Sequence, residues 1–320
     1  MQSSFQPKVI TTVTLNPAID EAVAIDEFEV GARNRCTLEN LDPGGKGINA
    51  SRVIARLGGR TIALGFIGGV TGQLLRARLD EERVMHAFDH VAEATRINVM
   101  IYERKNGRRT RLYLDGPHVA PEKIESLRCR LAQLPAESIV VFGGSLPAGI
   151  PATIYRDIVS ELRRSGVRSI VDTSGEALQL ALDAKPLLIK PNVEEAEEIL
   201  GVRLSGDADV VRAARALQQR GAENVVISQA ESGAIGVGPD GCWKAMPPAV
   251  EAKTTVGAGD SMVAGLALAF NDGRGLLEGL RLGTAAGAAT VMVSGTHLCA
   301  SNDVFALIER VRIEPLVAAA

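Results

Sequence analysis

The sequence predicts an α/β protein with a mostly parallel central sheet, helices on both of its faces, and a small separate β-sheet. Three observations predict it. Short β-branched runs alternate with segments of helical spacing along nearly the whole chain, the pattern of repeated βαβ units. Glycine or polar clusters sit at Gly44–Gly47, Gly143–Pro147, Lys190–Asn192 and Gly257–Asp260. They fall at the C-terminal ends of strands, where parallel sheets bind ligands. Residues 96 to 114 break the rhythm, with two alternating segments around Asn106-Gly107, a strong hairpin signal.

The elements follow in order. Lys8 to Leu15 is a β-branched run that ends at Asn16-Pro17, a strand and then a turn. Asp20 to Ile25 and Arg33 to Leu41 read as short strands. Pro43 to Gly47 is a glycine loop, and Ile48, Val53, Ile54 and Leu57 then keep helical spacing up to Gly58-Gly59. Thr61 to Ile67 is the next strand and Gly72 to Glu82 the next helix. With the strands near 20–25 and 33–41, the 96–114 hairpin would form a small sheet, a lid or a dimerisation surface. Strands are then expected at 138–142, 167–172, 187–189 and 224–228. Helices are expected at 151–164, 176–182, 192–200, 207–219, 257–271, 276–293 and 303–312. No repeat, low-complexity tract or long linker divides the chain, so residues 1–320 are expected to form one domain.

Composition narrows the function. The 320 residues are 46% hydrophobic, enough for one large α/β core. Lys and Arg number 35 against 38 Asp and Glu, a net charge of -3, which suggests no nucleic-acid or membrane-surface role. Aromatic residues are 3%, too few for base-stacking platforms. Cys36, Cys129, Cys242 and Cys299 lack metal-ligand spacing and read as reduced thiols. The run from Met1 to Pro17 has no basic segment followed by an apolar one, so a cytoplasmic location is expected. Leu282 to Gly295 is short and rich in small residues, better suited to a buried helix than to a membrane span.

Two familiar phosphate signatures are absent. Gly45-Lys46 is followed by Gly47, so the hydroxyl of a P-loop is missing. Gly236 to Gly241 matches G-x-G-x-x-G, but Pro239-Asp240-Gly241 is a turn between two short strands and no helix follows. Thr254 to Ser261 reads either as an ordinary helix start with Asp260 as its N-terminal charge or as an anion site. Gly257, Ala258 and Gly259 form a tight turn at a helix start, where unpaired N–H groups and the helix dipole favour a phosphate. Asp260 lies in the first turn of that helix and is expected to stay ionised below its usual value of about 3.9. Asp20 is either a turn residue or an acceptor for hydroxyl groups. Gly44 to Asn49 is either a turn or a polyol-binding loop. Arg33 and Arg96, each leading a lid strand, are exposed strand residues or a phosphate clamp. Asn192 and Glu195 form a capping box, with or without a role at a hydrated Mg²⁺. His86, His90, His118 and His297 are scattered and take no catalytic role.

Together these stretches resemble the phosphofructokinase B group of ribokinase-like carbohydrate kinases. The matching segments are Thr14 to Asp20, Gly44 to Asn49, Thr95 to Asn98, Gly144 to Pro147, Lys190 to Asn192 with Glu195, and Thr255 to Asp260. The resemblance implies a three-layer fold with a β-sheet lid that often pairs two subunits, here as a homodimer. It implies phosphoryl transfer from ATP with Mg²⁺ to a phosphorylated ketohexose. Asp260 would be the base and the Gly257–Gly259 N–H groups the anion hole. Asp20, Gly44, Gly45, Lys46, Gly47, Asn49 and Ser145 would bind the sugar phosphate, and Arg96 and Arg33 its existing phosphate. Lys190, Asn192, Ser228, Ala230, Ser232, Gly233, Thr284 and Ala288 would line the nucleotide site. Glu195 would place Mg²⁺ through water, and Thr254, Val256, Val293 and Gly295 would surround K⁺. Val171 to Leu178 and Gly295 to Cys299 are most similar to the 6-phosphofructokinase branch. Thr14 to Asp20 and Thr95 to Val99 resemble 1-phosphofructokinase or tagatose-6-phosphate kinase at least as much. Arg33 and His297 depart from that first branch, which has Lys and Arg there. A sugar-phosphate sensor that lost catalysis is the rival, and the intact Gly257, Gly259, Asp260, Asn192 and Glu195 speak against it.

Overall fold

The computed structural model describes residues 8–316; the opening residues 1–7, part of the run read for a targeting signal, lie outside them, as do 317–320. The chain opens with β1 (Ile10–Thr14), β2 (Ala18–Ile25), β3 (Thr37–Gly44), α1 (Lys46–Arg56), β4 (Thr61–Ile67) and α2 (Gly69–Glu81). Two short strands, β5 (Met85–His86) and β6 (Asp89–His90), lead to the hairpin β7 (Arg96–Glu103) and β8 (Arg109–Leu112). Then come α3 (Pro121–Leu131), β9 (Ile139–Gly143), α4 (Ile154–Arg164), β10 (Arg168–Asp172), α5 (Gly175–Ala181) and β11 (Leu188–Ile189). Helices α6 (Val193–Leu200) and α7 (Asp207–Gln219) and strand β12 (Asn224–Ser228) follow, then the hairpin β13 (Ala234–Gly238) and β14 (Gly241–Met246). The chain ends with α8 (Ala258–Asn271), α9 (Gly275–Val291), α10 (Ser301–Ile308) and β15 (Arg312–Pro315).

Eleven strands form the main sheet in the order β15-β14-β13-β12-β11-β10-β9-β1-β4-β5, with β6 also on β4. From β5 to β12 the pairs are parallel, and β12 to β15 are antiparallel. The central strands, such as β1, β9, β10 and β12, are buried on both faces, so each feeds two cores by alternation. Val140 and Phe142 of β9 pack with Leu127, Ile158, Leu162, Leu178 and Leu217 on one face. Ile139 and Val141 pack with Val53, Ile54, Leu266, Leu280 and Val304 on the other. The small-residue run predicted as a buried helix is most of α9. It packs so closely on α8 that a Cβ on Gly265 would stand 2.5 Å from the Gly283 nitrogen. Among the described residues no helix is long and apolar enough to cross a membrane.

A second, four-stranded sheet has the order β3-β2-β7-β8. Its two faces differ, because paired residues share a face. Val23, Ile25, Leu38, Val99, Ile101 and Leu112 lie on one face. Asp20, Asn98, Met100 and Arg111 lie on the other.

The structure corrects three sequence expectations about elements. The strand expected over 33–41 begins only at Thr37. Asn34 closes a turn first: its Oδ1 accepts from the Glu29 N–H and its Nδ2 donates to the Glu29 and Ala32 carbonyls. The helix expected over 303–312 stops at Ile308, because 312–315 pairs along the edge of β14 as an added strand. Helix α3 and strands β5, β6 and β15 were not expected at all.

Candidate active site

Two helix starts converge on one cleft. Helix α1 begins after Gly45, whose φ of 118° no side chain adopts comfortably. Helix α8 begins after Gly257, at φ 76°. The free N–H groups of both first turns, and the positive ends of both dipoles, therefore serve the same space. Asn49 of α1 and Asp260 of α8 join the two helices directly, Nδ2 donating to Asp260 Oδ2 at 2.8 Å.

Behind them lies a charged cluster at the ends of β10 and β11. Asp172, buried at the last position of β10, accepts from Lys46 Nζ at 3.1 Å and stands 3.5 Å from Lys190 Nζ. Burial opposes the Asp172 charge, but Lys190 and Lys46 outweigh it and hold the carboxyl below its usual range. Burial also opposes the Lys46 charge, and Asp172, Asp260 and Glu195 together lift that ammonium well above the ordinary lysine value. Asp260 behaves in the opposite way to the sequence expectation. Burial and the facing Asp172 carboxylate push it up to about 6, more than Lys46, Asn49 and Lys190 pull it down. A helix N-terminus favours a carboxylate by only about 0.3–1 kcal/mol at an exposed site, and burial with a second carboxylate nearby outweighs it.

The polar face of the small sheet closes this cleft from one side. Asp20 on β2 accepts from Asn98 Nδ2 on β7 at 2.8 Å. Its carboxyl occupies the place where any side chain at Gly44 would go. Burial raises the Asp20 carboxyl, against the pull of Asn98 and Arg96. Arg96 donates to the Asn16 and Leu114 carbonyls, both at 3.1 Å, and Asn16 Nδ2 donates to Ser145 Oγ at 3.2 Å. Gly47 lies close against β1 and β9: a Cβ there would meet Thr14 Oγ1 at 2.6 Å, and one on Gly143 would meet the Gly47 nitrogen at 2.7 Å. Arg33 is not brought to the cleft: it is exposed in the 26–36 loop and makes no hydrogen bond or ion pair among the described residues. The second lid arginine at the cleft is instead Arg111 of β8, which reaches Thr255 Oγ1 at 3.4 Å, while Arg109 donates to the Lys253 carbonyl.

On the opposite side, Asn192 and Glu195 form both halves of a capping box, at 2.7 and 2.8 Å. Glu195 Oε1 stands 3.9 Å from Lys46 Nζ, which ties α6 to the charged cluster. Ser228 bridges to Asn192, and the turn that follows carries Ala230 at φ 50° and Gly233 at φ 91°, with Ser232 between them. On α9, Thr284 and Ala288 are buried one turn apart, and the Thr284 hydroxyl has no protein partner. A Cβ on neighbouring Gly287 would lie 3.2 Å from the Ala258 carbonyl, so this stretch of α9 abuts the first turn of α8. The loops at 254–256 and 293–295 meet where Thr254 Oγ1 donates to the Gly295 carbonyl at 3.1 Å and accepts from the Val256 N–H at 3.2 Å.

Three residues that the sequence reading passed over belong to this site. Asp172 carried one signal, as the acidic last residue of an apolar strand. Asn98 carried another, two residues after Arg96 and therefore on its face. Arg111 had the same alternation within the hairpin.

The family and fold are shown by comparison with known proteins. The model of the pfkB family of carbohydrate kinases matches residues 13–303. A 1-phosphofructokinase of Borreliella burgdorferi is 34% identical over 309 residues, covering 96% of this chain and 99% of that protein. The ATP-dependent 6-phosphofructokinase isozyme 2 of Escherichia coli is 36% identical over 296 residues, 92% of this chain and 96% of that one. The crystal structure of phosphofructokinase-2 from Escherichia coli in complex with potassium superposes with a TM-score of 0.91 at 34% identity, over 95% of this chain and 99% of that one. The chain belongs to the pfkB family of carbohydrate kinases, and it is a phosphotransferase acting on sugar phosphates.

Proposed function

We propose that the protein is an ATP-dependent 6-phosphofructokinase with Asp260 as its base. The observation that carries the base assignment is the Asn49–Asp260 hydrogen bond at the meeting of two helix starts, beside Lys46 and Lys190. The free hydroxyl of fructose 6-phosphate attacks the γ-phosphorus of ATP, the bond to the bridging oxygen breaks, and ADP leaves. The hydroxyl proton passes to an Asp260 oxygen. The N–H groups of Gly257, Ala258 and Gly259, with Lys46 and Lys190, offset negative charge on the moving phosphoryl group. Asp20, Gly44, Gly45, Gly47, Asn49 and Ser145 hold the sugar, with Asn98 added, and Arg96 holds its phosphate. Lys190, Asn192, Ser228, Ala230, Ser232, Gly233, Thr284 and Ala288 line the nucleotide side.

A hydrated Mg²⁺ fits this donor set, since that ion needs one or two carboxylates and completes its shell with water and phosphate. Glu195 would hold it through water, and it would neutralise charge on the nucleotide phosphates. By resemblance, a K⁺ ion would sit beside the adjoining 254–256 and 293–295 loops, held by Thr254, Val256, Val293 and Gly295. The four free cysteines, two of them buried, support a cytoplasmic location.

An acid near 6 suits a general base at neutral pH, because it is mostly ionised yet still basic. Relatives carry both phosphofructokinase names, so 1-phosphofructokinase and tagatose-6-phosphate kinase are the alternatives. ADP release measured with fructose 6-phosphate, fructose 1-phosphate and tagatose 6-phosphate tests the proposal. Preference for fructose 6-phosphate is expected. Preference for another of the three replaces the substrate, and no turnover with any sinks the catalytic reading in favour of a sensor.

A further inference from the structure

Arg52 lies one turn beyond Asn49 on α1 and is 1% exposed, which is rare for an arginine. All five of its N–H donors find acceptors. Nε donates to both Glu82 oxygens at 3.0 Å, and the terminal nitrogens donate to Glu82 Oε1 at 2.6 Å, Asp42 Oδ1 at 3.2 Å and the Pro43 carbonyl at 3.0 Å. The last donor reaches Asn49 Oδ1 at 3.5 Å. Two carboxylates from different elements thus lock the guanidinium, Asp42 from the lid strand β3 and Glu82 from the end of α2. Glu82 is in turn held by Arg56, which also donates to the Leu298 and Cys299 carbonyls. Asp42 accepts from Thr296 as well, at 2.6 Å.

A side-chain amide has a donor end and an acceptor end, and its neighbours decide which way it faces. With Oδ1 turned to the Arg52 cation, only the Asn49 NH2 can face Asp260. A reversed amide would place two acceptors, Oδ1 and the carboxylate, against each other. It would also place the NH2 against a guanidinium that has nothing but donors.

We infer that Arg52 is a positioning residue for phosphoryl transfer, which fixes the Asn49 amide so that it donates to Asp260 and aims that carboxylate at the attacking hydroxyl. The inference rests on Asp260 being the base. The groups that face Asp260 are Lys46 and Asn49 on α1, Asp172 at the end of β10 and Lys190 just after β11, with Glu195 of α6 beyond Lys46. None of these except Asn49 touches Arg52, so Arg52 acts on Asp260 through that amide.

A double-mutant cycle tests this, with Arg52→Lys chosen because it keeps the buried charge that Asp42 and Glu82 need. Steady-state kinetics are measured for wild type, R52K, Asn49→Ala and the double variant, with Glu82→Gln as a second way to loosen the guanidinium. In the wild-type background R52K is expected to lower kcat roughly 10- to 100-fold, the range of a charge-assisted hydrogen bond. The acid limb of its pH–rate profile should move to higher pH, because a freed amide no longer holds Asp260 ionised, while the KM for ATP stays. On the Asn49→Ala background the same change should add little. An equal loss on both backgrounds, or no loss in wild type, overturns the inference; E82Q should follow the same pattern at smaller size, and its failure to do so counts equally against it. Asp260→Asn measured alongside separates the two ideas. Near-normal turnover of that variant removes the base itself, whereas an inactive Asp260→Asn with a normal R52K removes only the role of Arg52.

Discussion

Asp260 shows how far a single residue could be read in the sequence. Its place in the first turn after Gly257-Ala258-Gly259 was visible from spacing. Its ionisation was not, because Asp172 lies 88 residues earlier and meets it only through the folded sheet. Two results follow from the raised value. With Asp260 as the proposed base its working form is the carboxylate, so kcat/KM should climb with pH through about 6 and level off above it, as a pH–rate profile would show. The same shift is a stability cost with a definite sign. The folded acid titrates near 6 and the unfolded one near 3.8, so its favourable contribution is complete below pH 4 and is lost as pH rises through 6. Asp260→Asn should therefore lose roughly 10²–10⁴-fold in rate while gaining about 1–2 kcal/mol in stability at pH 7 to 8, after discounting for its part exposure. Turnover and urea unfolding on one sample check both halves, and a variant that is slow but no more stable would show that Asp172 does not burden Asp260.

The elements were legible where local chemistry decided them. The strand at 61–67 and the helix at 207–219 stand as their patterns predict, and Asn106-Gly107 turns the β7–β8 hairpin. The Gly236 to Gly241 run is a hairpin and not a dinucleotide loop. The misreadings came from contacts that a local window cannot see. Asn34 folds its own turn and delays β3, and β15 exists only because β14 offers a free edge. The glycine turn before α8 gives a prediction at this scale. Gly257 has φ 76°, and a Cβ on it would meet Leu298 Cδ2 at 2.5 Å. Gly257→Ala should cost about 1–3 kcal/mol through the left-handed conformation and the contact with Leu298. It should also lower kcat more than it raises the sugar KM if the displaced N–H groups serve the transferring phosphoryl group as proposed. Thermal unfolding with separate kcat and KM values would decide it. Arg111 and Arg109 tie β8 to the 253–255 loop, beside the turn that starts α8. Arg111→Ala should raise the sugar-phosphate KM by about 3- to 10-fold, the worth of one hydrogen bond from a charged donor to the ligand, with little change in melting temperature because its bond to Thr255 is exposed.

At the scale of the whole molecule, strand–helix alternation was enough for the large sheet, and one interruption of it located the small sheet. What the pattern could not give was the second face of that small sheet. Its inner face is committed to Asp20, Asn98 and Arg111 over the cleft. Its outer face carries Val23, Ile25, Val99 and Ile101, capped only in part by Phe28, with Leu38 and Leu112 about half exposed. Val30 in the adjoining loop is 93% exposed and Tyr113 69%. A single β-sheet needs cover on its apolar side, and a second copy of the same face would supply it in an isologous pair. Such a pair would also steady the strands that carry Asp20 and Asn98, so association should reach the sugar site. The expected state is a homodimer through the lid. Replacing both Leu38 and Leu112 by Glu should give monomers, since charges set against an apolar partner face remain desolvated and unpaired. Sedimentation at several concentrations measures the mass, and kinetics on the same samples should show a raised sugar-phosphate KM with the ATP KM little changed. A variant that keeps the wild-type mass would place the interface elsewhere, and a monomer with an unchanged sugar KM would separate the lid's outer face from its inner one.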